Sequence, residues 1–92
     1  MIKVKPLTVN KKAVNNHYLI DCKNYTVFQS YETIIAIVDN SNGSIRITDK
    51  KYSRTTSKYT NVFLSQYKNY DVFYVTEDEL EDIIRLCISF LF

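Results

Sequence analysis

Thr33–Val38, T-I-I-A-I-V, is an almost unbroken apolar run, and it restricts the fold more than any other stretch. Such a run reads as a strand covered on both faces, or covered by protein on one face and by a partner on the other. The turn that follows, Asp39-Asn40-Ser41-Asn42-Gly43, is the clearest in the chain, and its Asn-Gly pair is a strong hairpin signal. Ser44–Thr48 then returns as a strand with Ile45 and Ile47 on one side. A central β-hairpin is therefore the frame on which the rest must be hung.

The flanking segments extend that sheet. Met1–Val9 alternates apolar and basic residues, and Pro6 confines it to an edge. Asn10–Lys12 reads as a turn, Ala13–Asn16 as a polar approach and His17–Asp21 as a strand. Lys23-Asn24 reads as a two-residue turn in which Asn takes the left-handed conformation. Tyr25–Tyr31 follows as a strand. On the C-terminal side, Tyr70–Val75 is a further strand. Thr76-Glu77-Asp78-Glu79 has the spacing of a capping box, and its acids complement the dipole of the helix it opens. Leu80, Ile83, Ile84, Cys87 and Leu91 keep helical spacing behind it. The reading is an α+β fold: one domain, residues 1–92, with an antiparallel sheet of about five to six strands and two helices, at about 53–66 and 77–91, packed on it. Phe63, Leu64, Ile35, Ile37, Ile83, Ile84 and Cys87 are the expected shared core.

Charge is distributed unevenly. Residues 1–23 carry five Lys against Asp21, and residues 51–68 carry Lys51, Arg54, Lys58 and Lys68 with no acid. Residues 69–92 carry six acids against Arg85, so a net charge of only +2 conceals a bipolar chain. A bipolar surface can dock a partner or a second copy.

The acid-free stretch Tyr52–Gln66 is where function is expected. Ser53 is placed to cap a helix whose first turn holds Arg54, Thr55, Thr56 and Ser57. From Tyr59 on, Val62, Phe63 and Tyr67 follow steps of three and four, giving an apolar face. Arg54 and Lys58, four apart, share another face. Free amides at a helix start favour anions, so Tyr52, Arg54, Thr55, Thr56, Lys58 and Tyr59 form the candidate binding set for a partner or a phosphate. Ordinary capping with a solvated basic face is the plainer reading of the same residues.

The segment Y-S-R-T-T-S-K-Y (Tyr52–Tyr59) followed by F-L, with F-Q-S-Y-E-T-I-I-A (Phe28–Ala36) before it, resembles a family of small proteins from phages and mobile elements of low-GC Gram-positive bacteria. Its members share an S-Y-x-T-x-I-A strand and a Y-S-R-T-T-S-K-Y segment, and the resemblance spans about residues 17–64. It implies a phage or mobile-element setting and a bacterial host cytoplasm. By analogy of lifestyle alone, it implies an anti-defence role of the anti-CRISPR kind.

Enzyme chemistry finds little footing. One His and two widely separated Cys give neither a nucleophile–base pair nor a zinc set. One Gly cannot build a phosphate-cradling loop. His17 and Asp21 share a strand face but stand about 13 Å apart by strand rise. No cofactor or metal is expected, and both cysteines are expected to be reduced and at least partly buried. The N-terminal Val4–Val9 is too short an apolar region for a signal peptide, and Ile83–Phe92 is too short for a bilayer span. The expected activity is binding of a host protein or nucleoprotein complex, with eight Tyr available for an interface. The alternative is direct nucleic-acid binding by a basic face in which Lys3, Lys5, Lys11 and Lys12 join Lys51, Arg54 and Lys58, with Tyr52 and Tyr59 stacking on bases. The tail Ile88, Phe90, Leu91 and Phe92 is too apolar for one helical stripe. It either folds back on the core or is covered by a partner or by a second copy in a homodimer.

Overall fold

The computed structural model describes residues 2–89, with side chains through Leu86. Six strands form one sheet: β1 (Ile2–Val9), β2 (Lys12–Cys22), β3 (Tyr25–Ser30), β4 (Thr33–Asp39), β5 (Ser44–Thr48) and β6 (Asp71–Val75). Their spatial order is their chain order. Helix α1 (Arg54–Leu64) lies between β5 and β6, and α2 (Glu77–Ser89) follows β6. The fold is α+β, as the sequence predicts, and Pro6 lies on an edge strand.

Four features of the sheet and its turns differ from expectation. β6 runs parallel to β5, while every other neighbouring pair is antiparallel. The cause is the connection: α1 carries the chain back over the sheet, so β6 re-enters in the direction of β5. β2 also begins earlier than expected, at Lys12, and absorbs the polar approach as a bulge. Between the pairs Pro6↔Tyr18 and Thr8↔Ala13, β1 supplies only Leu7 while β2 supplies Val14 to His17. Asn16 takes the left-handed conformation there, at φ 63°. In the β2–β3 turn the left-handed residue is Lys23, not Asn24 as expected. Tyr31 is likewise left-handed, and belongs to the β3–β4 turn rather than to the strand.

The helices cover opposite faces. α1 lies over Leu19, Phe28, Ile35, Ala36, Val38, Ile45 and Ile47, and buries Phe63 completely among them. The Phe28 and Phe63 rings stack with centroids 4.9 Å apart. A bulge in β4 assists: Phe28 pairs with Ala36 and Gln29 with Ile34, so Ile35 is an extra residue and joins Ala36 in the cluster under α1. α2 places Leu80 on Val27 and Ile37, with Ile20, Tyr25, Ile34, Val75, Ile83 and Ile84 around them. The expected single core is thus two, divided by the sheet. Phe63, Leu64 and Ile35 belong to one side and Ile37, Ile83 and Ile84 to the other. Leu64, Ile83 and Ile84 are half-buried rather than buried. The apolar run of β4 is explained by its contributing to both.

Local chemistry sets the helix ends. Ser53 has extended backbone and accepts the Thr56 amide at 3.3 Å; Ser65 closes the helix. α1 is therefore shorter than the expected 53–66. Thr76 Oγ1 accepts the Glu79 amide at 3.3 Å, the first half of the expected capping box. The expectation of reduced thiols is corrected at Cys22, which is buried and disulfide-bonded. Sequence distance misled there, because α2 returns across the face on which Cys22 lies beside Ile84. The side chains of Cys87 and Ile88, and all of Phe90–Phe92, lie outside the described residues.

Phe63→Ala is expected to cost about 3–5 kcal/mol, since it removes a fully buried ring and leaves a cavity against Phe28. Urea denaturation would measure it; a midpoint equal to the parent's would mean that this ring does not anchor α1.

Candidate functional site

The six candidate residues are carried by α1 and its approach, but helical geometry sends them in three directions. Thr56 points down. It is 6% exposed, and its hydroxyl lies 3.0 Å from Ser30 Oγ on β3. Ser30 Oγ lies 3.0 Å from His17 Nε2, and His17 Nδ1 lies 2.8 Å from the Asn15 carbonyl oxygen. A carbonyl can only accept, so Nδ1 carries the proton, and in the neutral ring Nε2 accepts from Ser30. Ser30 then accepts from Thr56, and Thr56 Oγ1 accepts from Ser53 at 3.3 Å. The chain of donors therefore runs in one sense from the cap of α1 to the bulge of β2. It fixes the helix on the sheet by polar contacts beside the Phe28–Phe63 stack.

Thr55 and Tyr59 point to one flank. They line a groove of 540 Å³ with Lys12, Val14, His17 and Tyr31. The Tyr59 ring lies 4.7 Å from the His17 ring, and Tyr31 meets the same imidazole edge-on at 5.6 Å. Tyr31 is 54% exposed, so much of its ring remains open to solvent. Arg54 and Lys58 are exposed on the ridge above, with Lys58 Nζ 5.3 Å from the centre of the Tyr59 ring. This is a cation–π distance.

Tyr52 points to the other flank, into a second groove of 440 Å³ shared with Thr56, Ser57, Lys50, Lys51 and Tyr74. Its hydroxyl donates to Glu77 Oε1 on α2. Lys50 Nζ lies 3.7 Å from the same carboxylate oxygen and 5.7 Å from the Tyr52 ring. Burial, with the bond to Glu77 and its negative charge behind it, pushes the Tyr52 phenol up to about 12. Tyr52 thus ties the approach of α1 to the start of α2, and it does not share a groove with Tyr59.

The chain belongs to a family of unknown function, DUF8033. Its model matches residues 2–82. No curated protein and no solved structure matches the chain. The DUF8033 span takes in the whole sheet, α1 and the first turns of α2, so both grooves lie inside it. The structure also brings to the candidate site two residues that the sequence did not point to, His17 and Tyr31, and places beside them Lys12, which was expected only as part of a wider basic face. The signal for them was Asn15-Asn16, a pair tolerant of left-handed backbone, in the segment read as a polar approach.

Two outcomes follow from these contacts. Thr56→Val keeps the volume but removes the hydroxyl between Ser30 and Ser53, and should cost about 1–3 kcal/mol in denaturant unfolding. An unchanged stability would mean that the polar chain is incidental. The raised pKa of Tyr52 means that its neutral form favours folding fully below pH 10, and that this contribution is lost as pH climbs through about 12. Stability measured from pH 9 to 12 should therefore fall less steeply in Tyr52→Phe than in the parent. Parallel curves would remove this phenol from the alkaline transition.

Proposed function

We propose that the protein is a non-enzymatic accessory protein of a phage or mobile element, and that it acts in the bacterial cytoplasm by binding a host protein or nucleoprotein complex. In this reading it blocks a host defence assembly in the manner of an anti-CRISPR. The observation that carries it is the exposed ridge Arg54–Thr55–Lys58 with Tyr59 at its foot, presented by a helix held to the sheet through Thr56 and Phe63. Residues 51–68 contain no acid, so nothing on this segment neutralises the two cations. A rigid support lowers the entropy lost when such a surface is bound, and Arg and Tyr are the residue types that dominate interface energies. The resemblance of Tyr52–Tyr59 and Phe28–Ala36 to phage proteins supports the setting.

Direct nucleic-acid binding is the second reading. It is favoured by Tyr31 and Tyr59, which line one groove with Lys12 at its wall and Lys58 above, since aromatic faces beside cations suit an unpaired base and its phosphate.

Both readings are tested together by using the purified protein as bait in host lysate, with and without nuclease. The Arg54→Ala/Lys58→Ala variant should melt with the parent and lose most of the captured partner. Capture that survives nuclease supports the protein-binding reading, and capture released by nuclease supports the second. Equal capture by parent and double variant would place the working surface elsewhere.

A further inference from the structure

The two edges of the sheet are finished differently. β1 carries Lys3, Lys5 and Pro6, which discourage pairing with another strand. β6, D-V-F-Y-V, carries neither Lys nor Pro. Its side chains are open on both faces of the sheet: Val72 is 43%, Phe73 53% and Tyr74 73% exposed. Val72 and Tyr74 pair with Ile45 and Ile47, and so lie on the α1 face; Phe73 lies on the other.

Hydrogen bonding shows which way the β6 backbone points. The Asp71 amide donates to the Gly43 carbonyl at 3.0 Å, and the Val75 carbonyl accepts from the Asp49 amide at 2.9 Å. Residues 71, 73 and 75 therefore face β5. By alternation the N–H and C=O of Val72 and Tyr74 face outward, where they meet no partner among the described residues.

We propose that this edge pairs with the same edge of a second copy, antiparallel and about a two-fold axis at Phe73. The strand is self-complementary in that register. Val72 of each copy would meet Tyr74 of the other in hydrogen-bonded pairs, which satisfies all four outward groups of each strand. Phe73 would meet Phe73 in the intervening non-hydrogen-bonded pair, where side chains approach most closely. Aromatic–aromatic and aromatic–β-branched pairs of this kind favour cross-strand association. Asp71 would face Val75 of the other copy, so no like charges are directly opposed across the axis. The axis is perpendicular to the sheet. One sheet then runs through both copies with the two α1 helices on the same side, and the interface is closed and isologous.

Sedimentation equilibrium up to high micromolar concentration, with cysteine cross-linking, tests it. The parent should be a dimer, and Val72→Lys should weaken association by about tenfold or more. Phe73→Cys should form a covalent dimer on mild oxidation of the folded protein, whereas Val72→Cys, whose opposite number is Tyr74, should not. A parent that is monomeric at every concentration overturns the proposal. So does a dimer in which Phe73→Cys cross-links no better than Val72→Cys. Should Val72→Lys unfold, the cross-linking pair decides alone.

Discussion

The seating of α1 on the sheet is the constraint that orders the rest of the molecule. Phe63 stacked on Phe28 supplies apolar burial, and the chain from Ser53 through Thr56 and Ser30 to His17 supplies direction. Burial alone would let the helix rotate or slide, because dispersion and hydrophobic forces are not directional. A hydroxyl chain with one satisfied sense does not tolerate that freedom, since any slip leaves a buried polar group without its partner. Once α1 is seated, its exposed side is determined: Arg54 and Lys58 rise above the sheet, Tyr59 closes over the imidazole, and the chain must re-enter beside β5.

The same arrangement explains why the candidate site divides. Residues adjacent in the string Tyr52–Tyr59 are about 100° apart around a helix, so a compact sequence motif becomes a ring rather than a patch. Thr56 takes the inner position and is structural. Thr55 and Tyr59 belong to the flank beside β2, where the bulge at Asn16 brings His17 and Lys12 to meet them. Tyr52 precedes the helix and is drawn to Glu77 on α2.

Much of the fold was legible in the chain because it depends on local chemistry. Periodicity, Asn-Gly, Ser53, Thr76 and Pro6 each act over a few residues, and each marked an element or its end. The unbroken run of β4 foretold burial on both faces. What was not legible depends on distant parts of the chain. Five residues such as D-V-F-Y-V carry no record of their direction relative to β5. Nothing near Cys22 announces that a helix from the other end of the chain will cross its face. The division of one expected core into two follows from α1 and α2 choosing opposite faces, and an apolar stripe on a helix does not specify which face of a sheet it will meet. In the candidate site, Arg54, Lys58 and Tyr59 were singled out from their acid-free clustering and helical spacing. His17 and Tyr31 were missed because left-handed residues turn the backbone at both places, at Asn16 where a polar approach was read and at Tyr31 where a regular strand was assumed.

Strand order that matches chain order has a kinetic meaning. Five strands can assemble one after another, each closing a turn of two to four residues onto the strand just formed. Short closures lose little chain entropy and are fast. The long closure comes once, when residues 49–70 must cross the sheet before β6 can find β5. The slow step of folding is thereby concentrated in the arrival of α1. Until that step is complete and α2 has followed β6 into place, the five-strand meander has both apolar faces bare, Phe28 on one and Val27 on the other, which makes it the species most prone to aggregate.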